Sequence, residues 1–538
     1  MTSLTRSTRT MAVGTLASRG TGFVRTAALA AALGAHGASI AYNLANTAPN
    51  TVYDLLLGGV LTSVVVPLLV RAAKQDGDGG AAYAQRLLSL TVLALGAASV
   101  LLVVLAPQIV DLYLAPGAPA GTRELAVAFA RFFLPQVLFY GAGAVLGGIL
   151  NTRGSFAAPM WAPVLNNVVV IGTAAVFLLL PATTDPTRSL THVQVLVLGI
   201  GTTLGVIAQT LALVPALRAS GFRLRVRLDL RGTGLGHAAR LAKWVFLYVV
   251  ANQIAYLVVV RLSSGLPDGR GYAVYVYAYV LFQLPYAVVA VSVISALLPT
   301  MSRAAADERY GDLRGQLSTG MRLVSAVLVP AVAAYVVLGP AVATLVLGHG
   351  RLSVDDARYI GQTLGVLSLG LLPFSAFQLQ LRAFYALDDT RTPTLVNLGA
   401  TAVNLALDLL AVLVLPPDQQ VLGLAGAYAA SYAVGLVLSS RLLARRLGGL
   451  DGARVLRTAV RCVAAVLVPA LLALTAQLAV TALLGRGTGA AVAALLTGGA
   501  LLAVGYLIGV RCLRVREVDE VVGPLLRRVG LGPRLKPG

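Results

Sequence analysis

Apolar runs recur along the chain at 11–34, 39–71, 86–114, 124–150, 157–182, 192–217, 236–264, 271–301, 320–346, 357–386, 393–416, 421–444, 460–484 and 488–511, separated by short polar stretches rich in Arg, Gly and Pro. Each is long enough to cross about 30 Å of hydrocarbon with some tilt or a break. Only helices and closed barrels satisfy their backbone groups in lipid, and runs of this length are helical rather than strand-like. The pattern predicts an all-α polytopic membrane protein of about 14 spans, with both termini on one side.

The first two runs are the least uniformly apolar. The first carries Arg19 and Arg25, and the second carries Asn43, Asn46, Pro49, Asn50 and Asp54. A charge in hydrocarbon costs several kcal/mol, so such side chains face a protein-lined cavity unless they reach the headgroups by snorkelling. Arg19 and Arg25 are six residues apart, which places them on one broad face of a helix. They form a candidate anion-facing wall. The asparagines serve equally well for hydrogen bonds between helices or for contact with a substrate.

Composition narrows the class without changing it. Of the 538 residues, 57% are hydrophobic and only 12% charged, and the mean hydropathy of +0.82 exceeds what a soluble domain of this size could bury. The opening MTSLTRSTRT resembles the basic start of a signal peptide, but the apolar part behind it is long and interrupted by arginines, so it reads as a retained span. The net charge of +21 follows topology rather than nucleic acid. Arg6 and Arg9, Arg71 to Arg86, Arg153, Arg218 to Arg231, Arg303 to Arg322, Arg391, Arg441 to Arg457 and the tail after Arg511 occupy alternate connections, while the others hold scattered basic residues. The positive-inside rule puts those connections and both termini in the cytoplasm, with anionic membrane lipids as their neighbours.

The chain also echoes itself. LTSVVVPLLVRAA (61–73) is answered by ISALLPTMSRAAA (294–306), and the junction from Asn151 to Asn167 by that from Asp389 to Asn397, at nearly equal offsets. An offset of six spans keeps orientation, so the repeat is parallel. The expected organisation is a cytoplasmic N-terminus (1–10), an N-lobe (11–217), a basic linker (218–235), a C-lobe (236–446), a C-terminal hairpin (460–511) and a basic tail (512–538). Two lobes around a central space suit alternating access, with broken helices at positions such as Pro135, Pro163, Pro285 and Pro373. The candidate cavity residues are Arg19, Arg25, Asn46, Asn50, Asp54, Arg131, Asn166, Asn252, Gln253 and Arg261.

Enzymatic chemistry finds little support. The chain has no phosphate-cradling G-x-x-x-x-G-K-[ST] and no H-E-x-x-H, and Asp54 and Asp408 are the only obvious intramembrane carboxylates for acid–base work or cation coupling. Cys462 and Cys512, and His36, His192, His237 and His349, show no ligand spacing. No metal or cofactor is called for, and a coupling ion is left open. Guanidinium groups match phosphate or pyrophosphate bidentately, so an arginine-walled cavity favours an anionic substrate.

The runs SRGTGFVRTAALAAALG, YNLANTAPNTVYDLLLGGVLTSVVVPLLVRA, GGILNTRGSFAAPMWAPVLNN, YVLFQLPYAVVAVSVISALLPTMSRAAA and LRAFYALDDTRTPTLVN resemble, in order along nearly the whole chain, the MurJ (MviN) family of lipid II flippases, in the form of its actinobacterial branch. The resemblance implies the fold of the multidrug and oligosaccharidyl-lipid exporter superfamily, with an added hairpin forming a groove for a lipid tail. It implies an undecaprenyl-pyrophosphate-linked peptidoglycan precursor as substrate, moved from inner to outer leaflet, with Arg19 and Arg25 holding the pyrophosphate. Three family cavity charges are replaced here, by Ile40, Tyr53 and Val280. Other readings are an exporter of another polyprenyl-linked glycan, a drug antiporter, or a non-transporting scaffold among cell-wall synthesis proteins.

Overall fold

The computed structural model describes residues 3–54, 66–119, 121–181, 190–227, 235–266, 269–515 and 517, with side chains omitted at 3–12, 16, 54, 66–68, 75, 235–242 and 245. Part of the second predicted span, part of the 218–235 linker and most of the basic tail therefore lie outside the described residues. Every regular element among those described is helical, as lipid demands of a backbone that water cannot reach.

Two compact units divide the chain between Val276 and Tyr277, one helix beyond the linker at 218–235, and residues 350–352 belong to the first. The first unit contains α1 (Ser3–Leu33), α2 (Gly37–Asp54), α3 (Val66–Gln75), α4 (Ala81–Val104), α5 (Ala106–Tyr113), α6 (Thr122–Phe133), α7 (Gln136–Thr152), α8 (Ala157–Leu179), α9 (His192–Leu211), α10 (Leu213–Ala219) and α11 (Leu235–Ser264). Helix α12 (Gly271–Pro285) straddles the division. The second unit continues with α13 (Val291–Ala306), α14 (Tyr310–Leu347), α15 (Val354–Ser368), α16 (Leu371–Ala386), α17 (Arg391–Val414), α18 (Gln420–Leu447), α19 (Gly452–Leu484) and α20 (Thr488–Cys512).

Eleven helices among the described residues are long and apolar enough to span a membrane, or twelve when α15 and α16, bent by 47° to each other, count as one span. The expected 14 is not reached by that measure, and the reason lies in the first hairpin. Arg19 and Arg25, set among Gly, Ser and Thr, dilute α1, and the run after α2 falls outside the described residues. The element order recurs from unit to unit. A broken pair precedes a long helix both times, α6 and α7 before α8 and α15 and α16 before α17. The first break falls at Leu134 and Pro135, where proline lacks the amide that would continue the ladder. The second break includes Gly370, whose missing Cβ would lie 2.8 Å from the Cα of Ala429.

In the first unit α1 packs on α8, α2 on α6 and α4 on α7. Its core centres on Tyr42, wedged edge-on against Phe129 at 5.5 Å and Phe133 at 5.2 Å. In the second unit α14 packs on α15, α19 and α20, and Phe374, Tyr428 and Tyr432 form an aromatic knot beside a π-helical turn (Tyr286–Ala290) that follows Pro285.

Candidate functional site

Polar groups of the first unit gather along α1, α2, α7 and α8. Arg25 is half-buried, and its Nη1 donates to Oδ1 of Asn167 over 3.4 Å, the long end of a hydrogen bond. Asn167 is itself fixed from α8, because its Nδ2 donates to the Ser18 carbonyl at 3.1 Å and to Thr21 Oγ1 at 3.0 Å. Arg19, one face along the same helix, is exposed and enters no hydrogen bond or ion pair among the described residues. One guanidinium is thus weakly held and the other unheld, which leaves most of their donors available to an anion.

Helix α2 carries the next group. Pro49 interrupts its ladder, and the polar positions around it are tied outward. Asn50 Oδ1 accepts from the Tyr140 hydroxyl at 3.4 Å, and Tyr53 lies 4.6 Å from Tyr140, ring to ring. Thr51 donates to Gln253 Oε1 at 3.1 Å, and Thr47 shares a 2.8 Å contact with the Tyr272 hydroxyl, which meets Tyr256 at 3.1 Å. Asn46 is half-buried and enters no hydrogen bond among the described residues. Asp54 ends α2, and its side chain lies outside the described residues.

The remaining candidates have other surroundings. Arg131 is exposed on α6 with no partner among the described residues. Asn252 donates to the Tyr248 carbonyl of its own helix at 2.8 Å. Asn166 is buried, and its Nδ2 donates to Gln209 Oε1 at 3.1 Å while its own Oδ1 has no partner. Arg261 is aimed at the end of α5, where Nη1 donates to the carbonyls of Asp111, Leu112 and Leu114 at 2.8, 3.0 and 3.1 Å. These are carbonyls the helix cannot satisfy itself, so Arg261 caps it.

Sequence reasoning did not single out Tyr140, Asn167 or Gln209 as partners of these residues. Asn167 ends the quoted 151–167 junction, but nothing in that pattern reveals that its amide turns toward α1. The second unit adds Asp408 on α17, fully buried with neither carboxylate oxygen hydrogen-bonded, and one turn earlier Asn404, whose Nδ2 is also unpartnered. Among the described residues no three His, Cys, Asp or Glu side chains cluster as metal ligands.

A family model described as "Lipid II flippase MurJ" matches residues 29–495. A probable lipid II flippase MurJ of Rhizobium meliloti is 26% identical over 414 residues, 76% of this chain and 75% of that protein. The lipid II flippase MurJ of Burkholderia cenocepacia is 28% identical over 411 residues, 74% of this chain and 77% of that protein. Among solved structures, one described as lipid II flippase MurJ in an inward closed conformation superposes with a TM-score of 0.74 at 19% identity, covering 94% of this chain and 99% of that one. An inward-facing multidrug transporter of the MATE family superposes with a TM-score of 0.65 at 16% identity, over 80% and 94%.

Proposed function

The chain belongs to the lipid II flippase MurJ family, and on that premise we propose that it carries a lipid-linked peptidoglycan precursor from the inner to the outer leaflet of the bacterial plasma membrane, with Arg19 and Arg25 as ligands of the pyrophosphate. The observation that carries the reading is the state of those two side chains. Both stand on α1, and among the described residues Arg19 is unpartnered while Arg25 makes one bond at 3.4 Å. A guanidinium kept in a spanning helix without a carboxylate is costly unless an anion completes it.

The sequence holds no phosphate-cradling G-x-x-x-x-G-K-[ST], and the reading takes the work from a gradient or from the membrane potential, worth about 2.3 kcal/mol per charge per 100 mV. Alternating access between two lobes is the mechanism that suits this fold, and Asp408 is the described carboxylate best placed to hold a coupling cation, being buried with both oxygens free. Both termini lie in the cytoplasm by the distribution of arginine, and the basic connections meet anionic lipid there. Contact with cell-wall synthesis proteins is a further expectation of the same reading.

Leaflet translocation of lipid II in proteoliposomes tests the proposal. Intact protein should translocate under an imposed potential or sodium gradient, and the folded Arg19→Ala, Arg25→Ala double variant should not. If intact protein fails where a known flippase succeeds in the same vesicles, the substrate assignment is wrong and a scaffold role takes its place.

A further inference from the structure

The first unit holds a second polar space, whose wall among the described residues carries no charge. It is a cavity of about 320 Å³ between α2, α7, α8, α9 and α10, at the low end of the roughly 300–1,000 Å³ of small-ligand pockets. Among the described residues its polar lining is Tyr53, Tyr140, Asn151, Gln209 and Thr210, and the rest is apolar or glycine.

Each simple class of ligand can be weighed against that wall. An anion would meet no counter-charge among the described lining residues and would lose its hydration. A bare hydrocarbon chain would bury the two amides against nothing that can hydrogen-bond. The lining instead suits a neutral ring with hydroxyl or amide groups on its rim and C–H bonds on its faces. Asn151 Oδ1 is buried without a partner, an acceptor in need of a donor. Gln209 has its Oε1 engaged by Asn166, so its Nε2 is the end left to donate. Tyr53 and Tyr140, 4.6 Å apart and inclined by 43°, offer an aromatic corner on which C–H faces pack. The space persists because α7 presents glycine there. A Cβ on Gly147 would find only Pro159, at 3.8 Å, so any longer side chain would grow into the cavity.

We propose that this cavity is a sugar subsite, taking a pyranose ring of the transported lipid's headgroup. Asn151 and Gln209 bond the ring substituents and the tyrosine pair covers one face. The inference rests on the flippase reading and extends it, since the arginines of α1 read the charge and this wall reads the neutral glycan.

The test compares two probes on purified full-length protein in nanodiscs. One is lipid II and the other undecaprenyl pyrophosphate, which keeps the tail and the pyrophosphate, now ending in a free phosphate, but has no sugar. Wild type should bind lipid II about tenfold more tightly, and Gly147→Leu, which fills the cavity, or Gln209→Leu, which removes the donor at similar volume, should shrink that preference to about twofold while leaving undecaprenyl pyrophosphate binding unchanged. Retained binding of the sugar-free lipid shows that a variant is folded. If Gly147→Leu binds neither probe, Gln209→Leu decides. If both folded variants keep the full preference for lipid II, the subsite is refuted while the flippase reading stands. If wild type binds neither lipid, the flippase reading fails and the subsite with it.

Discussion

Asn167 on α8 donates Nδ2 to Ser18 and Thr21 and meets the Arg25 guanidinium on Oδ1 at 3.4 Å, so a single amide ties α1 to α8 and holds the arginine weakly from one side. Asn167→Ala removes all three bonds from a buried position. It should destabilise the protein by about 1–3 kcal/mol and lower translocation through Arg25. Thermal unfolding in detergent reads the first effect. A double-mutant cycle with Arg25→Ala reads the second, because the two substitutions should be less than additive in translocation if Asn167 acts through Arg25.

Arg261 and Arg25 separate a cap from a ligand. Arg261 spends Nη1 on three carbonyls at the end of α5, so Arg261→Ala should cost about 1–2 kcal/mol of stability, and Arg261→Lys, lacking the planar fork, should recover only part of it. Translocation by the folded fraction should persist. Loss of translocation at unchanged stability would instead make Arg261 an anion ligand.

Asp389, in the connection before α17, accepts the Thr392 amide at 2.9 Å and faces Arg446. Burial pushes its carboxyl up, but the amide and hydroxyl of Thr392 and the Arg446 charge outweigh burial, and the net effect is below the usual carboxylate range. A depressed value means that its stabilisation is present above the unfolded pKa of about 3.9 and is lost as pH falls through the folded value. Asp389→Asn should therefore cost about 1 kcal/mol at neutral pH, and the difference from wild type should shrink as pH falls through the folded value. Melting curves of both proteins across pH 3–7 check the sign.

How much of this was legible in the sequence differs by residue. The helical class follows from run lengths alone, and Arg19 and Arg25 stand out because a charge amid apolar neighbours needs a cause. The repeated broken pairs were foreshadowed by Pro135, and in the second unit the break fell at Leu369 and Gly370 rather than at Pro373. What the sequence does not encode locally is which side chains meet across helices. Tyr140 looks like an ordinary aromatic of an apolar run until α2 brings Asn50 and Tyr53 to it, and Arg261 looks like a cavity charge until the end of α5 is seen beside it. Helical periodicity fixes a face, whereas the neighbour on that face depends on packing far along the chain.

Asp408 gives the sharpest test of coupling. A fully buried carboxylate with two unpartnered oxygens is expensive to keep charged. A cation bound there would offset that cost in proportion to ln(1 + [L]/Kd), so wild-type melting temperature should rise with concentration of the coupling ion. Asp408→Asn keeps the shape and removes the charge. It should melt at a higher temperature than wild type in the absence of the ion and show no further rise when the ion is added. Sodium and potassium titrations at fixed ionic strength separate specific binding from screening, and a pH series separates both from a proton. If Asp408→Asn responds to every ion as wild type does, the driving force enters elsewhere and the membrane potential acting on the substrate's own charge becomes the better account.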